Sequence, residues 1–246
     1  MKRDILTSIA LILLAVGSFV YPLIQQSRFE ARAQVAIINF EARMDNYRWE
    51  HIERVIASDG DYIPLEDDPN FWLNFVIGGL SIANHLLYLG DQEHLLDPFN
   101  YGHPSFYMRP FGLDSSIIGI LRLPSIDVSA PIYMGASAEH LLQGVAHLTH
   151  SSFPIGTENS NAVIAGHRNM AHSRVFRNLN QLNIGDEVII TSLIQTLVYT
   201  VIETRTVDSN QTSVLTIQPG RDLVTLVTTS SGRGNRRFIV VAERVE

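Results

Sequence analysis

The chain has 246 residues, 46% of them hydrophobic and 17% charged, enough apolar material to build a sizeable core in one or two domains and too much for a disordered protein. Its net charge of −7 comes with basic residues scattered among acids, so no basic stripe is available to neutralise phosphates and nucleic acid is not expected as a partner. The absence of cysteine excludes disulfides, thiolate metal sites and thiol catalysis, and it suits an exported protein.

Ile5 to Ile24 form an apolar run of 20 residues preceded by Lys2 and Arg3. With a helical rise of about 1.5 Å per residue it can cross a hydrocarbon core of about 30 Å. The basic residues lie before the run and the bulk of the chain after it. The positive-inside tendency therefore places residues 1–4 in the cytoplasm, residues 5–24 in the cell membrane as a single-pass anchor, and the rest outside. A cleaved signal peptide fits less well, because the run exceeds the usual signal core of roughly 7–15 residues and the small-x-small stretch Ala31-Arg32-Ala33 lies well beyond it.

From Ser27 to about Ser58 there is neither Gly nor Pro, and Val35, Ile38, Met44, Trp49 and Ile52 stand among charges, which predicts an amphipathic helix leaving the membrane. Gly60, Pro64 and Pro69 break it. Phe71 to Leu89 is apolar again, with Leu73, Val76, Ile77, Leu80, Ala83 and Leu87 at helical spacing. Asn74, Ser81, Asn84 and His85 make a membrane span costly, so a helix packed on the domain is expected, with a helix on the membrane surface as the alternative. Residues 25–96 thus read as an extracellular helical region.

From Ile117 the period shortens. Ile117–Leu123, Val128–Tyr133, Ala162–Ala165, Glu187–Thr191, Leu197–Asp208, Leu223–Thr228 and Arg237–Val245 are short, β-branched and separated by turn residues such as Gly185-Asp186. Helices are expected at Ala138–Gln143, after a Ser137 cap, and at Ser173–Leu182. Six or more short strands with few helices argue for a closed β-barrel, which leaves no exposed sheet edge.

Three stretches carry the chemistry: Ala165-Gly166-His167-Arg168, Thr225-Leu226-Val227-Thr228-Thr229, and Arg237 opening a last apolar strand. A histidine at a strand end can move a proton near neutral pH, and an arginine offers a permanently charged fork for an oxyanion. No spacing among the nine histidines suits a metal triad, and His147, His150 and His172 read as bystanders. Together the three stretches resemble the active site of a sortase, a family of membrane-anchored transpeptidases whose cysteine attacks a sorting peptide with a histidine and an arginine beside it. The resemblance runs from about Asp97 to the C-terminus. It includes Ile118-Gly119-Ile120-Leu121-Arg122-Leu123-Pro124-Ser125-Ile126-Asp127-Val128, Pro131 to Ser137, Gly144-Val145-Ala146-His147-Leu148 and Asn159 to His167, all in order.

This resemblance implies a mainly β fold: a sortase-like barrel of about eight strands over residues 113–246, with His167, Thr229 and Arg237 in the catalytic positions. Asp97-Pro98-Phe99 is similar to the lid motif of the pilin-polymerising class C, which implies a lid over residues 97–112, Asp97 near Arg237 and Phe99 over position 229. The implied partners are a sorting-signal peptide of a pilin or surface protein, an amine acceptor (a pilin lysine or a cell-wall peptide) and the membrane. No cofactor or metal is implied.

The chain also departs from the family pattern. Thr229 stands where the family has cysteine, Arg237 lies one residue closer to it than usual, and the loop Ser230 to Asn235 lacks the Pro-Tyr-Gly signature. Arg233 and Arg236 are alternatives for the site arginine. A threonine hydroxyl is neither ionised near neutrality nor strongly nucleophilic, and it needs a general base in contact. Two readings follow: a sortase that cleaves an LPxTG-like signal and transfers it to an amine, with lost or weak activity, or a catalytically inactive sortase-fold protein that binds sorting signals or pilins.

Overall fold

A computed structural model describes residues 18, 20–42, 69–90, 92, 95–100, 116–170, 173–192, 194–230 and 235–245. Eight strands close a barrel in the order β1-β2-β3-β4-β7-β8-β6-β5. They are β1 (Ile117–Leu123), β2 (Val128–Met134), β3 (Val145–His147), β4 (Ser160–Ala165), β5 (Glu187–Ser192), β6 (Thr196–Asp208), β7 (Asp222–Thr229) and β8 (Arg236–Arg244). The β2–β3 and β4–β7 pairs are parallel and the others antiparallel. All six residues of β4 are buried, as expected for a strand covered on both faces.

Strand alternation sorts the core into two layers. Leu121, Ile132, Val145, Ile164, Val188, Tyr199, Leu226 and Val240 come from all eight strands and fill the barrel. Val163, Ala165, Val227 and Ile239 face the other way, where they pack with Ile37, Phe40, Leu95, Phe99, Leu141, Val214 and Leu215. The outer layer is thus roofed by segments that precede the barrel and by the β6–β7 connection.

Residues 20–42 form helix α1, whose buried side chains are Phe29, Ala33, Ile37 and Phe40, one stripe at helical spacing. This corrects the expected face: Val35 and Ile38 are both 58% exposed. Hydrophobicity alone did not decide, because the aromatic positions one step round the helix reach the barrel. Residues 43–58 of the expected helix, with Met44, Trp49 and Ile52, lie outside the described residues. Glu41 at the end of α1 pairs with Arg122 of β1.

Helix α2 spans Pro69–Leu89 and docks through a polar contact. Asn84, buried, donates to the Phe153 carbonyl (3.0 Å) and to Thr157 Oγ1 (3.1 Å) and accepts from the Phe153 N–H (2.7 Å). The short helix α3, Ala138–Gln143, is capped by Ser137, whose Oγ accepts from the His140 N–H at 3.2 Å. The expected helix Ser173–Leu182 is instead a run of turns ending in one 3-10 turn at Leu179–Gln181. The Phe176 N–H bonds the His167 carbonyl (3.0 Å) rather than a helical neighbour.

No helix among the described residues is long and apolar enough to cross a membrane. The run from Ile5 to Ile24 lies mostly outside those residues.

Candidate active site

Register brings the three site residues to one end of the barrel. In the parallel β4–β7 pair Ala165 stands opposite Val227, so His167 and Thr229, each two residues further on, leave their strands at the same end. In the antiparallel β7–β8 hairpin Thr229 stands opposite Arg237. Thr229 and Arg237 share strand parity with Val227 and Ile239, which face the roofed outer layer rather than the lumen.

The approach to His167 is tightly built. Gly166 donates its N–H to the Val227 carbonyl (3.1 Å), and its own carbonyl accepts from Thr228 Oγ1 (2.8 Å). A Cβ on Gly166 would lie 2.6 Å from the Phe176 ring, so only glycine fits beneath that ring. Thr228, fully buried, therefore locks the strand carrying Thr229 to the turn carrying His167. The pattern of the sequence gives no sign of this role. His167 is itself buried, and the loss of water around its ring pushes its pKa below the ordinary 6.5. The neutral imidazole is thereby favoured at pH 7.

The segment before the barrel closes over this end. Asp97 accepts from Arg237 Nε at 2.8 Å and pairs with Nη2 as well, a two-pronged bond between side chains 10% and 16% exposed. Phe99 lies against His167, ring centroids 5.6 Å apart, and the Arg237 guanidinium carbon sits 5.2 Å from the centre of the Phe99 ring. The ring thus rests on the histidine and the arginine, and the Phe99 N–H reaches Asp97 Oδ1 at 3.4 Å. Further back, Gln92 Oε1 accepts from the Ile217 N–H (2.7 Å), tying the same segment to the β6–β7 connection. Only a narrow crevice remains between the two, lined by Pro98, Val214, Leu215, Val227 and Arg237 among others.

The arginines sort by strand parity. Arg237 is buried and turned to Asp97, held also by Asn235 Oδ1 (3.2 Å), whereas Arg236 points to solvent beside Asp208 at 3.8 Å. Arg233 lies outside the described residues. Among those residues no group of histidines and carboxylates is placed to hold a metal ion.

The closed eight-stranded barrel thus carries the candidate histidine, threonine and arginine at one end, with Asp97 and Phe99 closing over the arginine and the histidine. The Sortase domain family model matches residues 121–245, half of the chain, and the protein belongs to the sortase family. It is 32% identical to Sortase D of Bacillus subtilis over 131 residues, 52% of this chain and 63% of that protein. The chain spans less than two thirds of the length of the curated relatives it matches. Its structural neighbours are class C sortases. Sortase C1 of GBS Pilus Island 1 superposes with a TM-score of 0.64 at 26% identity, over 71% of this chain and 83% of that one. Sortase C-1 of Actinomyces oris gives 0.59 at 34% identity, over 69% and 99%.

Proposed function

We propose that this protein is a membrane-anchored sortase of the pilin-joining type, with residues 5–24 in the cell membrane and the barrel outside the cell. Its ligand is an LPxTG-like sorting signal of a pilin or surface protein, and its acceptor an amine, a pilin lysine or a cell-wall peptide. The observation that carries this reading is the closure of Asp97 and Phe99 over Arg237 and His167 in a chain whose structural neighbours come from pilus systems.

Transfer runs through an alcohol in place of a thiol. Thr229 Oγ1 attacks the threonine carbonyl of the signal while His167 takes the hydroxyl proton and Arg237, released from Asp97, donates to the oxyanion. Collapse breaks the threonine–glycine C–N bond, His167 returns the proton to the leaving amine, and an ester remains on Thr229. The acceptor amine then attacks the ester, its proton passes through His167 to Thr229 Oγ1, and a new amide leaves. A thiolate would call for an imidazolium partner. An alcohol needs a neutral base, and the burial that lowers the His167 pKa supports that assignment. The threonine methyl restricts χ1, so turnover is expected to be slow.

A second reading is binding without cleavage, favoured by the complete absence of cysteine and by the altered loop after Thr229. Intact-mass analysis of the full chain with an LPxTG-like peptide and an amine separates the two. An ester adduct or joined product that disappears in His167→Ala supports the alcohol route. Adduct formation only by Thr229→Cys supports the binding reading, and no adduct from either protein refutes the proposed ligand.

A further inference from the structure

Helix α2 is built the wrong way round for a helix that packs on a domain and faces water. Its buried anchor is a polar residue, Asn84, which holds the Phe153 and Thr157 loop. Its outward side carries Ile82, Leu86 and Leu89, exposed at 63%, 62% and 67%, at spacings of four and three that align them in one stripe. Beside the stripe Gly78 and Gly79 have nothing within 4 Å of a built Cβ, which leaves that part of the surface open. None of the 21 residues of α2 carries a formal charge. Water-facing helices normally carry charged side chains there, and an exposed apolar face of this kind marks a surface with a partner.

Helix α1 indicates what that partner is. Val20, Tyr21, Leu23 and Ile24, exposed at its start, belong to the apolar run that begins at Ile5, and exposed Arg28 and Arg32 follow. From there α1 continues without a break to Ile37 and Phe40, which are buried in the outer core layer beside the barrel strands. Thirteen residues of helix separate Ile24 from Ile37, a rise of about 20 Å. A rigid post this short holds the barrel against the bilayer, and α2, at about 30 Å long, is bolted to the same barrel. Basic residues at the foot of the post suit anionic headgroups.

We infer that the Ile82, Leu86 and Leu89 face of α2 lies in the headgroup region of an anionic bilayer, giving the barrel a second membrane contact besides its anchor. This rests on the membrane-anchored reading above. The partner is the lipid surface itself; it is not a second copy of the chain.

With no native cysteine, single labels report cleanly. The full chain carrying Leu86→Cys, Leu13→Cys or Glu139→Cys is spin-labelled and reconstituted in phosphatidylglycerol–phosphatidylcholine vesicles, and collision with oxygen and with a water-soluble nickel chelate is compared. The expected result is a position-86 label about 5–10 Å below the phosphates, a position-13 label deep in hydrocarbon and a position-139 label in water. A water-exposed label at 86 with a buried label at 13 overturns the inference and leaves the anchor standing. Water exposure at both 13 and 86 overturns the anchor as well. A label at 86 shielded from both reagents and freed on dilution of protein into excess lipid means that another copy covers the face, which also overturns the inference.

Discussion

The two ends of the barrel each hold an aspartate against an arginine, but they source the acid differently. At the end opposite the site, Asp222 opens β7 beside Ser160, which opens β4. It accepts from Ser160 Oγ (3.1 Å) and Tyr199 Oη (3.4 Å) and faces Arg244 at 3.5 Å. Next to it Arg221 makes a two-pronged bond to Glu243, 2.7 Å on each side. Every partner belongs to a strand or its first flanking residue. At the site end the arginine is a barrel residue and the acid is not, since Asp97 arrives on a segment ahead of the barrel. One pair is fastened into the wall, and the other can be withdrawn without unravelling a strand.

The largest expected effect bears on the wall as a whole. His147, the last residue of β3, is fully buried, with Nε2 donating to the Ser152 carbonyl at 2.8 Å, and burial pushes its pKa down to about 4 from 6.5. The unfolded chain takes up a proton near pH 6.5 and the folded one does not. Stability is therefore full above that pH and falls as the pH drops towards 4, by about 3 kcal/mol in all. Urea melts across this range should show that slope, and His147→Gln should flatten it.

Next comes the fixed pair. Burial is the dominant influence on Asp222 and raises its pKa above the usual carboxylate value, so its charge is a net cost and its hydrogen bonds are the gain. Asp222→Ala, which strands the Tyr199 hydroxyl while Ser160 Oγ keeps the Thr157 carbonyl, should lose about 2 kcal/mol, whereas Asp222→Asn, which keeps an acceptor, should lose less than half of that. Equal losses in thermal melts of the two variants would mean that the charge matters after all.

Gly166→Ala tests how rigidly the site end is held. The added methyl meets the Phe176 ring, and overpacking of this kind costs about 1–3 kcal/mol in a thermal or urea melt. The smallest stability change is expected at the withdrawable pair. Asp97→Ala should cost less than Asp222→Ala, because Asp97 sits on a segment outside the barrel and Arg237 gains water as that segment lifts. In a Thr229→Cys background it should also speed thiol labelling severalfold. A loss as large as that of Asp222→Ala, with labelling unchanged, would make the two ends alike.

Strands and sites were legible in the sequence to different degrees. Seven strands could be read because short β-branched runs bounded by turn residues favour extended backbone over helix. The eighth, Val145–His147, is three residues long and has no period to read, although its residues belong to the family resemblance. Ser173–Leu182 reads as a helix on local composition. Phe176 is drawn instead against Gly166, a contact with no local trace. The positions of His167 and Arg237 follow from motif order. The Thr228 bond to Gly166 and the Gln92 bond to Ile217 join residues 62 and 125 apart, and no local pattern announces them.

The β7–β8 hairpin separates two kinds of distance. Counted along the chain, Arg237 is one residue out of place; measured across the ladder, it sits directly opposite Thr229. A hairpin loop can shed or gain a residue without disturbing the rungs below it, so spacing along the chain and position across the ladder are set independently.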